Sequence, residues 1–377
     1  MKYFLIAGEA SGDLHAGGLM QALAAADPEA TFTFLGGDLM AAAAGHSPVV
    51  HYRDMAFMGF SEVLRNLGKI STNLRIARKT LLEERPDCLI LIDYPSFNLK
   101  VAKTAARAGI PVFWYISPKV WAWKSWRVKD IRKLVGKVLC ILPFEPEFYR
   151  SRGYDKAVYV GNPSVEEIDA ALASTGTRED FARRHHLREN RPFIALLPGS
   201  RRGEIRCNLP VMDAVARQFP GYTIVVAGAP SVPDEVYNGL TKFAVVRDST
   251  HELLAHAHAA LVTSGTATLE AALAGVPQVV TYRSNGSRLA YNIMKKLLKV
   301  KFVSLPNLIV SREIIPEMLL HNCTPELVTE RLRAITPESS PARAAQIEGY
   351  AEMRRILGPS GAASRAASAI ISSLKKG

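Results

Sequence analysis

Cysteine is scarce in these 377 residues: Cys88, Cys140, Cys207 and Cys323 stand far apart, with no C-x-x-C pair among them. Neither a zinc site nor a disulfide framework has the spacing it needs, so buried, reduced thiols are expected. Long apolar runs are missing too. No stretch approaches the ~18 uninterrupted apolar residues of a membrane span, and Met1 to Ala7 runs straight into Gly8 and Glu9 instead of an apolar signal core. The expectation is a cytoplasmic chain, neither secreted nor threaded through a bilayer. Asp-x-Asp, H-E-x-x-H and clustered carboxylates are absent, which removes the usual donor sets for a divalent ion. There is also no G-x-G-x-x-G fingerprint and no G-K-[S/T] ending to a glycine loop, so dinucleotide binding and ATP hydrolysis are not implied. No metal and no cofactor are expected.

What is present is a well-packed composition, 48% apolar and 22% charged, in a chain longer than the ~100 to 200 residues of one domain. Disorder is excluded and two domains are expected. Apolar runs of about five residues alternate with helical patterns. They fall at Tyr3 to Ala7, Thr31 to Leu35, Cys88 to Ile92, Pro111 to Tyr115 and Val138 to Leu142. They resume at Phe193 to Leu197, Tyr222 to Val226, Ala260 to Thr263 and Val276 to Thr281. This is the α/β signature of parallel sheets. Gly161-Asn162-Pro163 and the polar segment after it mark the domain connection, giving domains at 1–163 and 164–342. From Pro341 the chain is rich in Ala, Ser and Arg and reads as helical, a tail over 343–377. Two doubly wound, Rossmann-like halves facing a cleft are expected, with ligands at the carboxyl ends of their strands.

Charge is unevenly placed. Lys and Arg number 47 against 35 Asp and Glu, a net +12. Lys119 to Lys137 holds seven bases and one acid, Arg283 to Lys301 six bases and no acid, and the remainder balances at 34 of each. The first stretch is interleaved with Trp121, Trp123 and Trp126, and the second with Leu289, Tyr291, Ile293, Met294, Leu297 and Leu298. Tryptophan with lysine suits an anionic lipid interface, with Lys295, Lys296 and Lys299 facing it. A nucleic-acid groove would want the bases without so many aliphatics, so no nucleic-acid partner is expected. Solvated faces over a core are the plainer alternative. A third amphipathic stretch follows Met55-Ala56-Phe57-Met58-Gly59, with Phe60, Val63, Leu64, Leu67 and Ile70 at helical spacing. Its Met and Phe cluster, Met58 and Phe60 included, is a surface that acyl chains could enter.

Three turns could carry chemistry. Gly8-Glu9-Ala10-Ser11-Gly12-Asp13 follows the first strand, where glycine lets backbone approach a ligand and the next helix start favours anions. Pro198-Gly199-Ser200-Arg201-Arg202-Gly203-Glu204 offers N–H groups, a hydroxyl and a guanidinium, a set that suits a diphosphate. In Thr263-Ser264-Gly265-Thr266-Ala267-Thr268-Leu269-Glu270 the hydroxyls can hold phosphate, and Glu270 can accept from sugar hydroxyls. Each turn is equally explained as an ordinary helix start. Asp93, just after an apolar strand, either takes a proton or caps the turn before Tyr94-Pro95. His15, His251, His256 and His258 are minor acid/base candidates.

Taken with Ile92-Asp93-Tyr94-Pro95-Ser96-Phe97-Asn98, Tyr115-Ile116-Ser117-Pro118-Lys119-Val120-Trp121-Ala122-Trp123 and Leu305-Pro306-Asn307-Leu308-Ile309, these turns resemble the lipid A disaccharide synthase family over nearly the whole chain. Asn162 departs from the family pattern, where histidine is common, and is given no proton-transfer role. The resemblance implies a GT-B architecture whose C-terminal helices return to the N-terminal domain. It also implies a metal-independent, inverting transfer of 2,3-diacylglucosamine from UDP to the 6-hydroxyl of 2,3-diacylglucosamine 1-phosphate. Asp93 would then be the base and Arg201 the partner of the leaving diphosphate. Gly12, Ser200, Ser264, Gly265, Thr266, Glu270 and Asn307 would hold the UDP-sugar, and Glu9, Ser11, Met58, Phe60, Trp121 and Trp123 the lipid acceptor. The partners implied are those two substrates and the inner face of the inner membrane, to which the protein would bind peripherally; a homodimer is compatible. The rival readings are another GT-B enzyme that uses UDP-N-acetylglucosamine, either a peptidoglycan-precursor transferase or a 2-epimerase, and a basic nucleic-acid-binding protein.

Overall fold

The computed structural model describes residues 1–55, 66–122, 124–283 and 301–375. They fall into two compact units, 1–163 with 359–377, and 164–358.

The first unit is built on seven parallel strands: β1 (Lys2–Ala7), β2 (Thr31–Gly36), β3 (Val50–His51), β4 (Cys88–Ile92), β5 (Val112–Tyr115), β6 (Lys137–Cys140) and β7 (Ala157–Tyr159), in the order β3-β2-β1-β4-β5-β6-β7. Alternate side chains serve two cores. Phe4, Ile6, Leu89, Leu91 and Trp114 pack on one face, and Tyr3, Leu5, Ile90, Ile92 and Tyr115 on the other. A sheet buried on both faces has no polar side, which is why its strands read as unbroken apolar runs. The second face is completed from the far end of the chain, by Ala366, Ala367, Ile370 and Ile371 of the helix Ala362–Leu374.

The second unit repeats the device with β8 (Phe193–Leu197), β9 (Thr223–Gly228), β10 (Ala244–Arg247), β11 (Ala257–Thr263), β12 (Gln278–Tyr282) and β13 (Glu317–Leu319), in the order β10-β9-β8-β11-β12-β13. Ile194, Leu196 and Leu261 face one core, Phe193, Ala195 and Val262 the other.

The single tail expected from 343 divides. Helix Pro341–Leu357 belongs to the second unit, and the chain returns to the first only at residue 359. The reason is polar. The Gln278 amide N–H donates to Gln346 Oε1 at 2.8 Å, Gln346 Nε2 donates back to the Gln278 carbonyl at 3.1 Å, and the Tyr350 hydroxyl donates to the Val276 carbonyl at 3.1 Å. These buried groups would be left unpaired if the helix left β12.

In both sheets the strand order reverses once, between β1 and β4 and between β8 and β11. At such a reversal the flanking connections leave toward opposite faces and open a crevice at the carboxyl ends of the strands.

Candidate active site

Some of the residues expected to bind substrate follow the strands at these two reversals: Glu9, Ser11 and Asp93 in the first unit, and Ser200, Arg201, Ser264, Gly265 and Thr266 in the second.

In the first unit, β1 ends in Gly8 and Glu9 and β4 ends in Asp93 and Tyr94. The two turns touch. A Cβ on Gly8 would lie 2.3 Å from Tyr94 Cγ, so only glycine lets the ring seat there. The Tyr94 hydroxyl donates to the Met55 carbonyl at 2.8 Å. Burial, helped by the Glu9 charge, pushes its pKa up. Asp93 and Tyr94 both have left-handed backbone, φ 39° and 46°. Asn98 stabilises that turn, Nδ2 donating to the carbonyls of Ile92 at 3.2 Å and Asp93 at 2.7 Å. Asp93 is therefore raised on a strained turn at the strand end, half-exposed, directly before Tyr94, which starts the helix Pro95–Arg107 without a side-chain cap hydrogen bond. Glu9 and Ser11 stay accessible, Ser11 Oγ donating to Glu9 Oε1 at 3.1 Å.

Two members of the Gly8-to-Asp13 turn face inward. Gly12, assigned from sequence to the UDP-sugar, is buried against Ala7 and Ile92, where a Cβ would meet Ala7 Cβ at 3.3 Å, and packs the helix Ala10–Ala26 on the sheet. Asp13 is buried too. Its Oδ1 accepts from the amides of Gly37 at 2.7 Å and Met40 at 3.2 Å, and its Oδ2 from Leu39 at 3.0 Å. It caps the helix Asp38–Ala44 and so ties the first βα turn to the second. Asn162 is buried as well, donating to the Ile141 carbonyl at 3.0 Å.

Trp121 is half-buried, its indole N–H given to the carboxylate of Glu145 at 3.1 Å and its ring edge-on to Phe144. Trp126 is 62% exposed. Beside it in sequence, the helix Val128–Leu134 buries Val128 and Ile131 and turns Lys129, Arg132 and Lys133 to solvent. Met58, Phe60, Trp123, Lys295, Lys296 and Lys299 lie outside the described residues.

In the second unit, Gly199 (φ 116°) brings the chain over Glu204, and Arg201 precedes the helix Arg202–Ala216. The Arg201 side chain is 58% exposed and its guanidinium donates to Glu204 Oε1 at 3.2 Å, while the Ser200 amide donates to Glu204 Oε2 at 3.2 Å. The donors expected for a diphosphate are thus already gathered on a carboxylate, which an incoming phosphate would have to turn aside. On the neighbouring strand end, Thr266 is exposed at the start of the helix Thr266–Leu273, and Ser264 Oγ donates to the Val303 carbonyl at 3.1 Å. Glu270 faces His251 across 3.6 Å. That carboxylate holds the imidazole pKa above its ordinary value, against the lowering effect of burial. A cavity of about 580 Å³ lined by Ser174, Thr175, Arg184, Ser249 and His251 adjoins this pair.

Asn307 does not join this group. It is fully buried and its amide is spent on structure: Oδ1 accepts from the amides of Ile314 at 2.7 Å and Ile315 at 3.0 Å, and Nδ2 donates to the Ile315 carbonyl and to Glu317, each at 2.9 Å. Glu317 in turn accepts from the Ser304 amide at 3.0 Å, so Asn307 braces the turn that Ser264 leans on.

The family model for Lipid-A-disaccharide synthetase matches residues 3–363. The chain belongs to that family. A lipid-A-disaccharide synthase of Myxococcus xanthus is 41% identical, covering 100% of this chain and 98% of its own length. One of Acidobacterium capsulatum is 37% identical over 95% and 92%. Among solved structures, a UDP-GlcNAc 2-epimerase of Neisseria meningitidis bound to UDP-GlcNAc superposes with a TM-score of 0.67 at 13% identity, covering all of both chains. CalG4, the calicheamicin glycosyltransferase, superposes with a TM-score of 0.62 at 17% identity over 99% and 98%. These structures share the fold, which is GT-B, and at such identities nothing more. The family member is a glycosyltransferase of lipid A biosynthesis, so the epimerase and nucleic-acid alternatives fall away. Membership implies a UDP-sugar donor and a lipid acceptor. Among the described residues no helix is long and apolar enough to cross a membrane.

Proposed function

We propose that the enzyme transfers 2,3-diacylglucosamine from UDP to the 6-hydroxyl of 2,3-diacylglucosamine 1-phosphate, with inversion, giving the β-1,6-linked disaccharide 1-phosphate and UDP. The observation that carries the residue roles is Asp93, lifted on consecutive left-handed residues at the strand-order reversal of the first sheet. The acceptor oxygen forms a bond to the sugar C1 as the bond from C1 to the UDP oxygen breaks, and the hydroxyl proton passes to Asp93. Negative charge grows on the departing diphosphate. Arg201, the Ser200 amide and the start of a 15-residue helix offer positive potential to it. Glu204 is displaced as the diphosphate takes these donors, and Glu270 accepts from ribose hydroxyls with His251 behind it. Because these groups supply the neutralisation, turnover is expected to survive excess EDTA; loss in EDTA with recovery on magnesium refutes that part.

The acylated sugars reach the enzyme from an anionic membrane surface, to which it binds peripherally. Exposed Trp126 with Lys129, Arg132 and Lys133 supports this. The deciding experiment is product analysis with UDP-2,3-diacylglucosamine and 2,3-diacylglucosamine 1-phosphate over a series of acyl lengths. Formation of the disaccharide with equimolar UDP is expected, and absence of UDP release at every chain length overturns the proposal.

A further inference from the structure

Glu145 has no part in the reading above, yet it is 1% exposed at the start of the helix Glu145–Arg150. Its Oε1 accepts from Ser117 Oγ at 2.8 Å and Trp121 Nε1 at 3.1 Å, and its Oε2 accepts from the Leu142 amide at 3.1 Å. A buried carboxylate that receives hydrogen-bond donors instead of a cation is expensive to keep. Two of its three donors, Ser117 and Trp121, lie on one loop. Ile116, immediately before Ser117, has φ 60°, a conformation that a β-branched side chain resists. Ile116 is held on both sides: its amide donates to the Leu139 carbonyl at 3.2 Å, and its carbonyl accepts from the Asp93 amide at 3.2 Å. Farther along the same loop, Arg127 Nη2 donates to Ser96 Oγ at 3.0 Å, three residues past Asp93.

We propose that Glu145 is a positioning residue for the transfer reaction. By gripping Ser117 and Trp121 it keeps Ile116 in its left-handed turn, and through the Ile116 carbonyl it fixes the turn that presents the Asp93 carboxylate. The proposal rests on the reading of Asp93 as the base; Glu145 itself touches no substrate. The grip depends on protonation. The ionised carboxylate accepts from all three donors far more strongly than the neutral acid would, whereas burial pushes the carboxyl pKa up to about 7, burial outweighing the hydrogen bonds that lower it. The titratable groups that face it are the Cys140 thiol from β6, the Tyr149 hydroxyl from its own helix and the Tyr159 hydroxyl from β7, with Arg365 beyond Tyr159. The thiol and both hydroxyls are held in their neutral forms by burial, so Glu145 titrates without a competing proton nearby. The loop should loosen as pH falls through 7.

The test is Glu145→Gln in the full chain, with Ser117→Ala and Trp121→Phe as variants that leave the carboxylate in place. Turnover and KM are measured with UDP-2,3-diacylglucosamine and 2,3-diacylglucosamine 1-phosphate from pH 5.5 to 9, and UDP affinity by calorimetry. Glu145→Gln should lower kcat ~10- to 10²-fold, the scale of a small misplacement of a reacting group. It should also abolish an acid limb near pH 7 and leave UDP affinity within about twofold. Ser117→Ala should lower kcat less and move that limb upward, because the charged form loses a donor. A Glu145→Gln enzyme with wild-type kcat and pH profile overturns the proposal. If that variant does not fold, unchanged kcat and limb in both Ser117→Ala and Trp121→Phe overturn it. Asp93→Asn is run alongside: turnover retained there overturns the base assignment, whereas turnover lost there and kept in Glu145→Gln overturns only the positioning role.

Discussion

Replacing Glu145 by glutamine should change how the stability of the first unit depends on pH, by an amount the structure fixes. The carboxyl has its usual value of 4.5 in the unfolded chain and about 7 when buried. The folded state therefore holds the proton more tightly. Below pH ~4 both states are protonated and the residue has no pH effect. Between 4.5 and 7 the unfolded chain releases its proton while the folded chain keeps it, so stability falls as pH rises, and above 7 the loss is complete. Each unit of pKa is about 1.4 kcal/mol, so the loss is about 3 kcal/mol. Glutamine has nothing to titrate. The difference in unfolding free energy between wild type and Glu145→Gln should then shift by about 3 kcal/mol in favour of the variant between pH 4.5 and 8, whatever its starting value. Other titrations cancel in the difference. Tryptophan emission in urea follows the right unit, because all four tryptophans, Trp114, Trp121, Trp123 and Trp126, belong to it. A difference that stays constant to within ~0.5 kcal/mol across that range refutes the reasoning, for it means water reaches the carboxylate.

Asp93→Asn should reduce turnover by ~10²- to 10⁴-fold, the usual range for a general base, with UDP affinity by calorimetry almost unchanged. Arg201→Ala should weaken both UDP binding and turnover, while Glu270→Gln should act mainly on binding; unaffected UDP binding in both variants removes the second unit as the donor site. Asn307→Ala should lower the stability of the second unit by several kcal/mol, since four buried hydrogen bonds are lost together; a donor KM raised with normal unfolding behaviour would restore it as a ligand residue. Cosedimentation with anionic vesicles should fall with salt, and fall further when Lys295, Lys296 and Lys299 become Glu or Trp126 becomes Ser, at about 1 kcal/mol per basic residue; binding indifferent to salt and to the reversals contradicts a charged membrane face.

The nine interior strands were legible because a parallel strand buried on both faces must be apolar throughout. The four unseen, Val50–His51, Ala157–Tyr159, Ala244–Arg247 and Glu317–Leu319, are the edges of the two sheets. With a partner on one side only, an edge strand is short and partly solvated, and its composition does not differ from a loop. The glycine after the first strand was legible for a related reason, since Gly8 marks a place where the backbone must let the Tyr94 ring approach. Residue identity could not say which way each residue points: Gly12 and Asn307 are buried. Glu145 was invisible. Two of the residues that Glu145 holds, Trp121 and Ser117, lie 24 and 28 positions earlier, beyond the reach of any local pattern. Periodicity marked the tail as helical, but which sheet a helix covers is decided by partners such as Gln346 with Gln278, far apart in sequence.

Because Ala366, Ala367, Ile370 and Ile371 close the core of the unit that starts at Met1, the domain synthesised first is the last to be finished. On a ribosome adding ~5 to 20 residues per second, the 195 positions from 164 to 358 impose a delay of roughly 10 to 40 s. Throughout that interval one face of the seven-stranded sheet lacks its closing helix, while the second unit, contiguous in sequence, can complete itself. Vectorial synthesis therefore inverts the order of maturation, and the turn at Asp93, the proposed base, sits on the half that waits. Nascent chains arrested after residue 358 should be cleaved by protease within 1–163 and protected within 164–358, and equal protection of both would show that the first sheet closes without its final helix.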